Sequence, residues 1–222
     1  MTDPPDHPYI PYPFPPLRPP PERKEPLLVP IVYEPTGRDP VRRLYERRTV
    51  LLGVALDPDA ATGIAAELMS LDGRSGKEIE LLVNSPGGPI DEVFAVLDVI
   101  ALLRAPVTVT CFGRAHGTAA VVLASGTGKR TATPNASISL RCPPAATTVG
   151  STREAEQAAE HERTLRDRIR RVLRERTRVP DSRLDHELDQ GAPLNSATAL
   201  ELGIIDEIVS RSTGGLRDAR PG

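Results

Sequence analysis

Between residues 50 and 209 the apolar positions fall into blocks of two periods. Val50–Leu56, Ile79–Val83, Val107–Phe112, Ser137–Leu140 and Ile204–Val209 are short and rich in aliphatic residues, and they predict strands. Between them lie stretches of helical spacing. Asp59–Leu71 places Ile64, Leu68 and Leu71 on one face, with Pro58 suited to a first helical turn. Ile90–Leu103 does the same with Val93, Val96, Leu97 and Ile100. Gly117–Ser125 is small and almost wholly apolar, which predicts a buried helix. Ser196–Leu202 is a short helix stopped by Gly203. Strands alternating with helices imply βαβ units and a largely parallel sheet, hence the α/β class.

The stretch Thr152–Thr177 breaks this rhythm. Its apolar positions, Ala155, Ala158, Ala159, Leu165, Ile169, Val172 and Leu173, are outnumbered by charges. Such a helix buries one stripe and projects the rest into solvent or against another subunit. At the other extreme, residues 1–26 are proline-rich, which favours polyproline II or disorder over helix or sheet. They predict a disordered leader, or alternatively a docking arm that lies on a partner through Tyr9, Tyr12 and Phe14. Residues 27–211 would form the folded domain, and 212–222 a disordered tail.

Composition narrows the function classes. The chain has 222 residues and a formal net charge of −2, so nothing in it calls for a nucleic acid or an anionic membrane. There is no tryptophan, and aromatic residues make up 3%, which speaks against base-stacking platforms. No apolar run has the length of a membrane span, and the first residues lack the basic-then-apolar layout of a signal peptide. The two cysteines, Cys111 and Cys142, lie in apolar surroundings and read as reduced thiols of a cytoplasmic protein. The four histidines, His7, His116, His161 and His186, form no metal-ligand cluster, so neither metal nor cofactor is expected.

The chemistry-bearing feature is Glu80–Gly88, ELLVNSPGG, a strand that runs into two adjacent glycines ahead of a helix. Glycine allows close backbone approach, and such a turn can aim bare N–H groups at the oxyanion of an acyl-transfer intermediate. A hydrolase then needs a nucleophile opposite those donors, a base, and a group to orient the base.

The order of segments supplies a resemblance. ELLVNSPGG, VTVTCFGRAHGTAAVVLASGTGKR, TATPNASISLRCPP, the charged helix and LNSATALELGIIDEI resemble ClpP, the proteolytic subunit of the Clp protease, over about residues 27–210. NSPGG-like turns also occur in the wider crotonase-like superfamily. The resemblance implies a fold of repeated ββα units with a protruding handle helix, here 152–177. It implies subunits stacked as two heptameric rings and fed by an AAA+ unfoldase.

Carried over residue by residue, the family's Ser-His-Asp triad is absent. Gly117 takes the serine position without a gap, and His116 takes it if a one-residue gap is moved upstream. Arg141 takes the histidine position. Gly191 takes the aspartate position, with Asp189 two residues away. Glycine cannot attack a carbonyl, and arginine stays protonated and only donates. The backbone of Gly87, Gly88 and Thr118 would still resemble an oxyanion hole. Glu80 and Leu82 match tyrosine-bearing positions of the unfoldase-docking pocket, where a carboxylate is costly to bury. Arg141 is expected to fill the cleft and to pair with Asp189 or Glu187. Cys142 neighbours Arg141 on a strand and is expected on the opposite face.

The resulting expectation is a catalytically silent subunit that joins rings with an active paralogue, or with itself, and modulates ATP-dependent degradation. The alternatives are an active endopeptidase subunit through an unrecognised site, with Thr118, Ser85 or Cys142 as candidate groups, and a peptide-binding protein outside the Clp system. A crotonase-like acyl-CoA enzyme fits less well, because of the handle and the GKR–PN spacing.

Overall fold

A computed structural model of the chain describes residues 40–142 and 152–209. The proline-rich arm and the C-terminal tail lie outside the described residues. Helix α1 (Pro40–Glu46) leads into strand β1 (Thr49–Leu52). Then come helix α2 (Pro58–Arg74), strand β2 (Ile79–Ser85), helix α3 (Ile90–Leu102), strand β3 (Val107–His116) and helix α4 (Thr118–Ala124). Strands β4 (Arg130–Ala132) and β5 (Ser137–Ser139) precede the long helix α5 (Thr152–Arg176). Helix α6 (Asp181–Gln190), strand β6 (Leu194–Asn195), helix α7 (Ser196–Glu201) and strand β7 (Glu207–Ile208) complete the fold.

The α/β class stands. Strands β1, β2, β3, β4 and β7 pair in that order and in parallel. Strand β3 is longer than its apolar run because it serves two neighbours in succession. Val109–Cys111 pairs with β4, and Arg114–His116 pairs with β5. Between the two stretches Gly113 takes φ 76°, and a Cβ there would press on the Asn84 side-chain oxygen at 2.6 Å. The two-strands-then-helix step is visible at β4, β5 and α5.

Local chemistry explains the boundaries. Asp57 caps α2 by accepting the Ala60 N–H at 2.8 Å, with Pro58 behind it in the first turn. Gly203, at φ 63°, follows the end of α7. Every residue of α4 is buried, as its apolar run predicts. The run Val50–Leu56 pairs only to Leu52, since the chain leaves the sheet and exposes Val54. Similarly, Ile204–Val209 contributes only Glu207–Ile208 to the sheet, and Ile204 and Ile205 are buried outside the ladder. Elements α1, β4, α6 and β6 have no counterpart in the apolar pattern, being short or mostly polar.

Along β2 burial alternates strictly. Ile79, Leu81, Val83 and Ser85 face the core with α2, α3 and α4, whereas Glu80, Leu82 and Asn84 are half-buried. A parallel sheet normally has both faces covered. Here one face is covered by helices of the chain, and the other carries the half-exposed Leu51, Leu82 and Phe112.

The long helix α5 buries one stripe, Leu165, Ile169 and Leu173, and none of Thr152–Thr164. Its first half therefore projects. Its second half is tied to α6 by a ladder of ion pairs running antiparallel: Arg166–Asp189, Arg170–Asp185 and Arg174–Asp181, the last at 2.7 Å. Both partners repeat every fourth residue, so each row lies on one helix face. Because the carboxylates are largely exposed, each rung is worth about 0.5 kcal/mol. Replacing Asp181, Asp185 and Asp189 together by Asn is expected to speed hydrogen exchange of the α6 amides several-fold at low salt. Molar salt should shrink the difference, because exposed charges are screened.

Candidate functional site

The glycine turn is built from the end of β2 inward. The buried Ser85 hydroxyl donates to the Val54 carbonyl at 2.5 Å and accepts the Gly87 N–H at 3.1 Å. Gly87 adopts φ 81°, and a Cβ there would collide with the His116 carbonyl and sit 3.0 Å from the Thr118 nitrogen. The Gly88 N–H donates to the Thr118 hydroxyl at 2.8 Å. The same hydroxyl lies 3.3 Å from the Gly88 carbonyl, to which it donates. The expectation of bare N–H groups on this turn is therefore corrected. Gly87 and Gly88 are both engaged inside the protein, and Pro86 and Pro89 have no N–H to offer.

Opposite the turn, Gly117 forms a sharp elbow between β3 and α4 with φ 56° and ψ −126°. Its N–H donates to the Ser139 carbonyl at 2.8 Å. A Cβ placed on Gly117 would stand 3.2 Å from the Arg141 carbonyl, 3.9 Å from the Cys142 sulfur and 4.0 Å from the Pro86 carbonyl. The space admits a small side chain, but φ 56° would strain any side chain there, and the sequence provides none. Turn and elbow border one cleft of about 360 Å³, whose walls include Gly88, Gly117, Arg141, Cys142, Asp91 and Glu162. This volume suits a small ligand or a few residues of extended peptide.

His116 stands elsewhere. It is the last residue of β3, not the start of a helix, and its Nε2 lies 3.0 Å from the Ser137 hydroxyl. Burial, helped by the charge of Arg114, lowers its pKa below the usual imidazole range, so it is neutral at pH 7. It does not line the cleft, whereas Gly117 does.

Arg141 does border the cleft, but its expected partners are taken. Asp189 pairs with Arg166, and Glu187 pairs with Arg183 at 2.7 Å. Among the described residues no carboxylate forms an ion pair with Arg141, which corrects the expected pairing. Gly191 ends α6, and its backbone N–H returns to the Glu187 carbonyl at 3.2 Å. A Cβ at Gly191 would stand 2.8 Å from the Glu187 Cα and 2.5 Å from its carbonyl. An aspartate therefore cannot be added there without moving the backbone.

Cys142 also departs from expectation. Strand β5 ends at Ser139, so strand alternation does not reach residues 141 and 142, and both border the cleft. The thiol is buried, and burial pushes its pKa up to about 11. The thiol is therefore protonated at neutral pH, with no thiolate to attack a carbonyl. Iodoacetamide at about pH 8 is expected to modify Cys142 at least a hundredfold more slowly in the folded chain than in urea, by peptide mass spectrometry.

Glu80 and Leu82 lie on β2 between β1 and β3, so Glu80 is not on a sheet edge. Its carboxylate is half-buried and accepts a long hydrogen bond, 3.5 Å, from the Thr49 hydroxyl. One contributor to the cleft was missed in the sequence: Glu162, which α5 brings to the cleft wall. Thr118 was considered as a reacting group, but its hydroxyl is turned into the glycine turn.

A parallel α/β scaffold thus sets a glycine turn and a glycine elbow against one cleft, with a long charged helix beside it. Residues 34–212 match the family model described as Clp protease. The chain is 34% identical over 180 residues to ATP-dependent Clp protease proteolytic subunit 1 of Tropheryma whipplei (strain Twist), covering 79% of this chain and 87% of that protein. It is 32% identical over 174 residues to proteolytic subunit 2 of Streptomyces coelicolor, covering 78% and 80%. The chain belongs to the Clp protease family. Among the described residues no helix is long and apolar enough to cross a membrane, and no cluster of metal-ligating side chains occurs.

Proposed function

We propose that this chain is a catalytically silent subunit of a Clp-type protease, which joins rings with an active paralogue and modulates the degradation that the paralogue carries out. The observation that carries this reading is the elbow at Gly117. The backbone there has the strained conformation that presents a nucleophile, at a residue with no side chain. Arg141 beside it cannot serve as a general base, and Gly191 sits where aspartate does not fit. An oxyanion hole alone leaves only a small part of the rate enhancement of a triad. Assembly is supported by the half-covered sheet face with Leu51, Leu82 and Phe112 and by the projecting first half of α5, since both present surface that the chain itself does not bury. An AAA+ unfoldase would dock mainly through the paralogue, because Glu80 stands at a position matched to the family's docking pocket and a carboxylate there is costly to bury.

Co-expression with an active proteolytic subunit, followed by native mass spectrometry, tests the assembly. Mixed rings are expected, with no fluorogenic-peptide cleavage by the purified chain alone. Cleavage by the chain alone that disappears in Thr118→Ala or Cys142→Ala would overturn the reading in favour of an unrecognised site.

A further inference from the structure

The structure assigns to Thr118 a role as an internal plug of the glycine turn, whose hydroxyl closes the turn's own N–H donor at Gly88 independently of the missing nucleophile. The inference rests on the silent-subunit reading for its meaning but not for its geometry. Four residues, Pro86 to Pro89, make the wall that would face a peptide carbonyl or a developing oxyanion. The prolines contribute no donor. The Gly87 N–H is turned back to the Ser85 hydroxyl at 3.1 Å, and Ser85 is itself fixed by its bond to the Val54 carbonyl. This leaves the Gly88 N–H as the donor of the turn that could serve an incoming oxygen, and the Thr118 hydroxyl holds it at 2.8 Å.

The contact has two points. Thr118 Oγ1 accepts from the Gly88 nitrogen and donates to the Gly88 carbonyl. Its position is not adjustable. Thr118 is fully buried in the first turn of α4, a threonine side chain has few χ1 states, and the Gly87 backbone packs against the Thr118 backbone. An arriving carbonyl oxygen must displace the Thr118 hydroxyl as acceptor of the Gly88 N–H, a competition that a residue without a side-chain hydroxyl at 118 would not impose. The chain is thus silenced twice, once by the absent nucleophile at Gly117 and once by a donor turned inward. Adding a serine at 117 alone would place a nucleophile before a wall with no free N–H on the turn.

Amide hydrogen exchange of the full chain, followed by mass spectrometry of peptides spanning residues 84–91, tests the plug without requiring catalysis or ring formation. In the wild type the Gly88 amide is expected to exchange well below the rate of an unprotected amide. Thr118→Val keeps the shape and removes the hydroxyl, and is expected to raise that rate about fivefold or more. Thr118→Ser restores the hydroxyl and should keep exchange slow. Equal rates in the wild type and a folded Thr118→Val variant would overturn the assignment. So would a wild-type Gly88 amide exchanging as an unprotected one, a result that needs no variant to fold. Peptidase activity in the wild type would instead refute the silent-subunit reading and leave the exchange result intact, so the two failures are distinguishable.

Discussion

Gly88→Ala is expected to collapse the folded domain and not merely to alter the cleft. The Cβ of any residue at 88 would fall on the Leu56 carbonyl oxygen and within 2.6 Å of its carbonyl carbon. A Cβ has no rotamer to escape by, and the obstacle is backbone. That backbone cannot retreat easily, because the Leu56 N–H is bonded to the Gly87 carbonyl at 3.1 Å and the Leu56 side chain is fully buried in the core. Relief requires separating the β1–α2 connection from the turn. The expected loss is on the order of 4 kcal/mol or more, a large share of the roughly 5–15 kcal/mol that holds an ordinary domain together. Gly63→Ala supplies the opposite sign in the same protein. Gly63 lies mid-helix in α2 with nothing near its absent Cβ, so alanine there should stabilise by about 0.5–1 kcal/mol. Urea unfolding followed by circular dichroism reads both. A Gly88→Ala midpoint close to that of the wild type would show that the turn and Leu56 are not in contact.

What the sequence discloses of this protein follows from which physical signals are local. The periods of 2 and 3.6 placed α2, β2, α3 and β3 because each buries one face in a single core, and the buried positions repeat in the residues themselves. The glycine turn was visible because Gly-Gly after an aliphatic strand has few other uses. The charged α5 was visible as a helix that cannot be wrapped by core. By contrast, α6 has no strong apolar period in DSRLDHELDQ, since only Leu184, Glu187 and Leu188 are buried and its outer face meets the arginines of α5. Those partners lie on another helix, 7 to 23 residues away, and no apolar period reports them. The site shows the same division. That Gly117 and Arg141 meet was legible through the family resemblance, and the elbow brings the Arg141 carbonyl within 3.2 Å of a Gly117 Cβ. The direction of the Gly88 N–H was not legible, because it depends on a hydroxyl thirty residues away. A threonine directly after the elbow glycine, and Pro89 directly after Gly-Gly, were the available signals.

Arg130→Met is expected to be the most damaging single change outside the glycine turn. Arg130 is the arginine of the GKR run, and its side chain is only 15% exposed. Its guanidinium is a five-donor fork, and the fold uses it as one. Nε donates to Asp206 at 3.0 Å, Nη2 to the other oxygen of the same carboxylate, and Nη1 to the Gly203 carbonyl at 2.9 Å and to the Arg176 carbonyl. The end of α5, the turn after α7 and the approach to β7 are thereby pinned to β4. Methionine fills the volume but leaves these carbonyls and the carboxylate without their donor, a loss of about 2–4 kcal/mol. Lysine should recover little, because one ammonium cannot span the carboxylate and two carbonyls in this geometry. The pH dependence has a definite sign. The bonds from Arg130 hold the Asp206 carboxyl below its ordinary range. A group with a depressed folded pKa stabilises above its unfolded value, about 3.9, and that stabilisation is lost as pH falls through the folded value. The stability gap between wild type and Arg130→Met should therefore be full at pH 7 and narrow below about pH 4, as Asp206 protonates. It should not vanish, since the carbonyl bonds do not titrate. Asp206→Asn retains the carbonyl contacts of Arg130, so it should cost less than Arg130→Met at pH 7 and show a flatter acid limb. A gap that stayed constant from pH 7 to about pH 3 would mean that Asp206 is not held by Arg130 in solution.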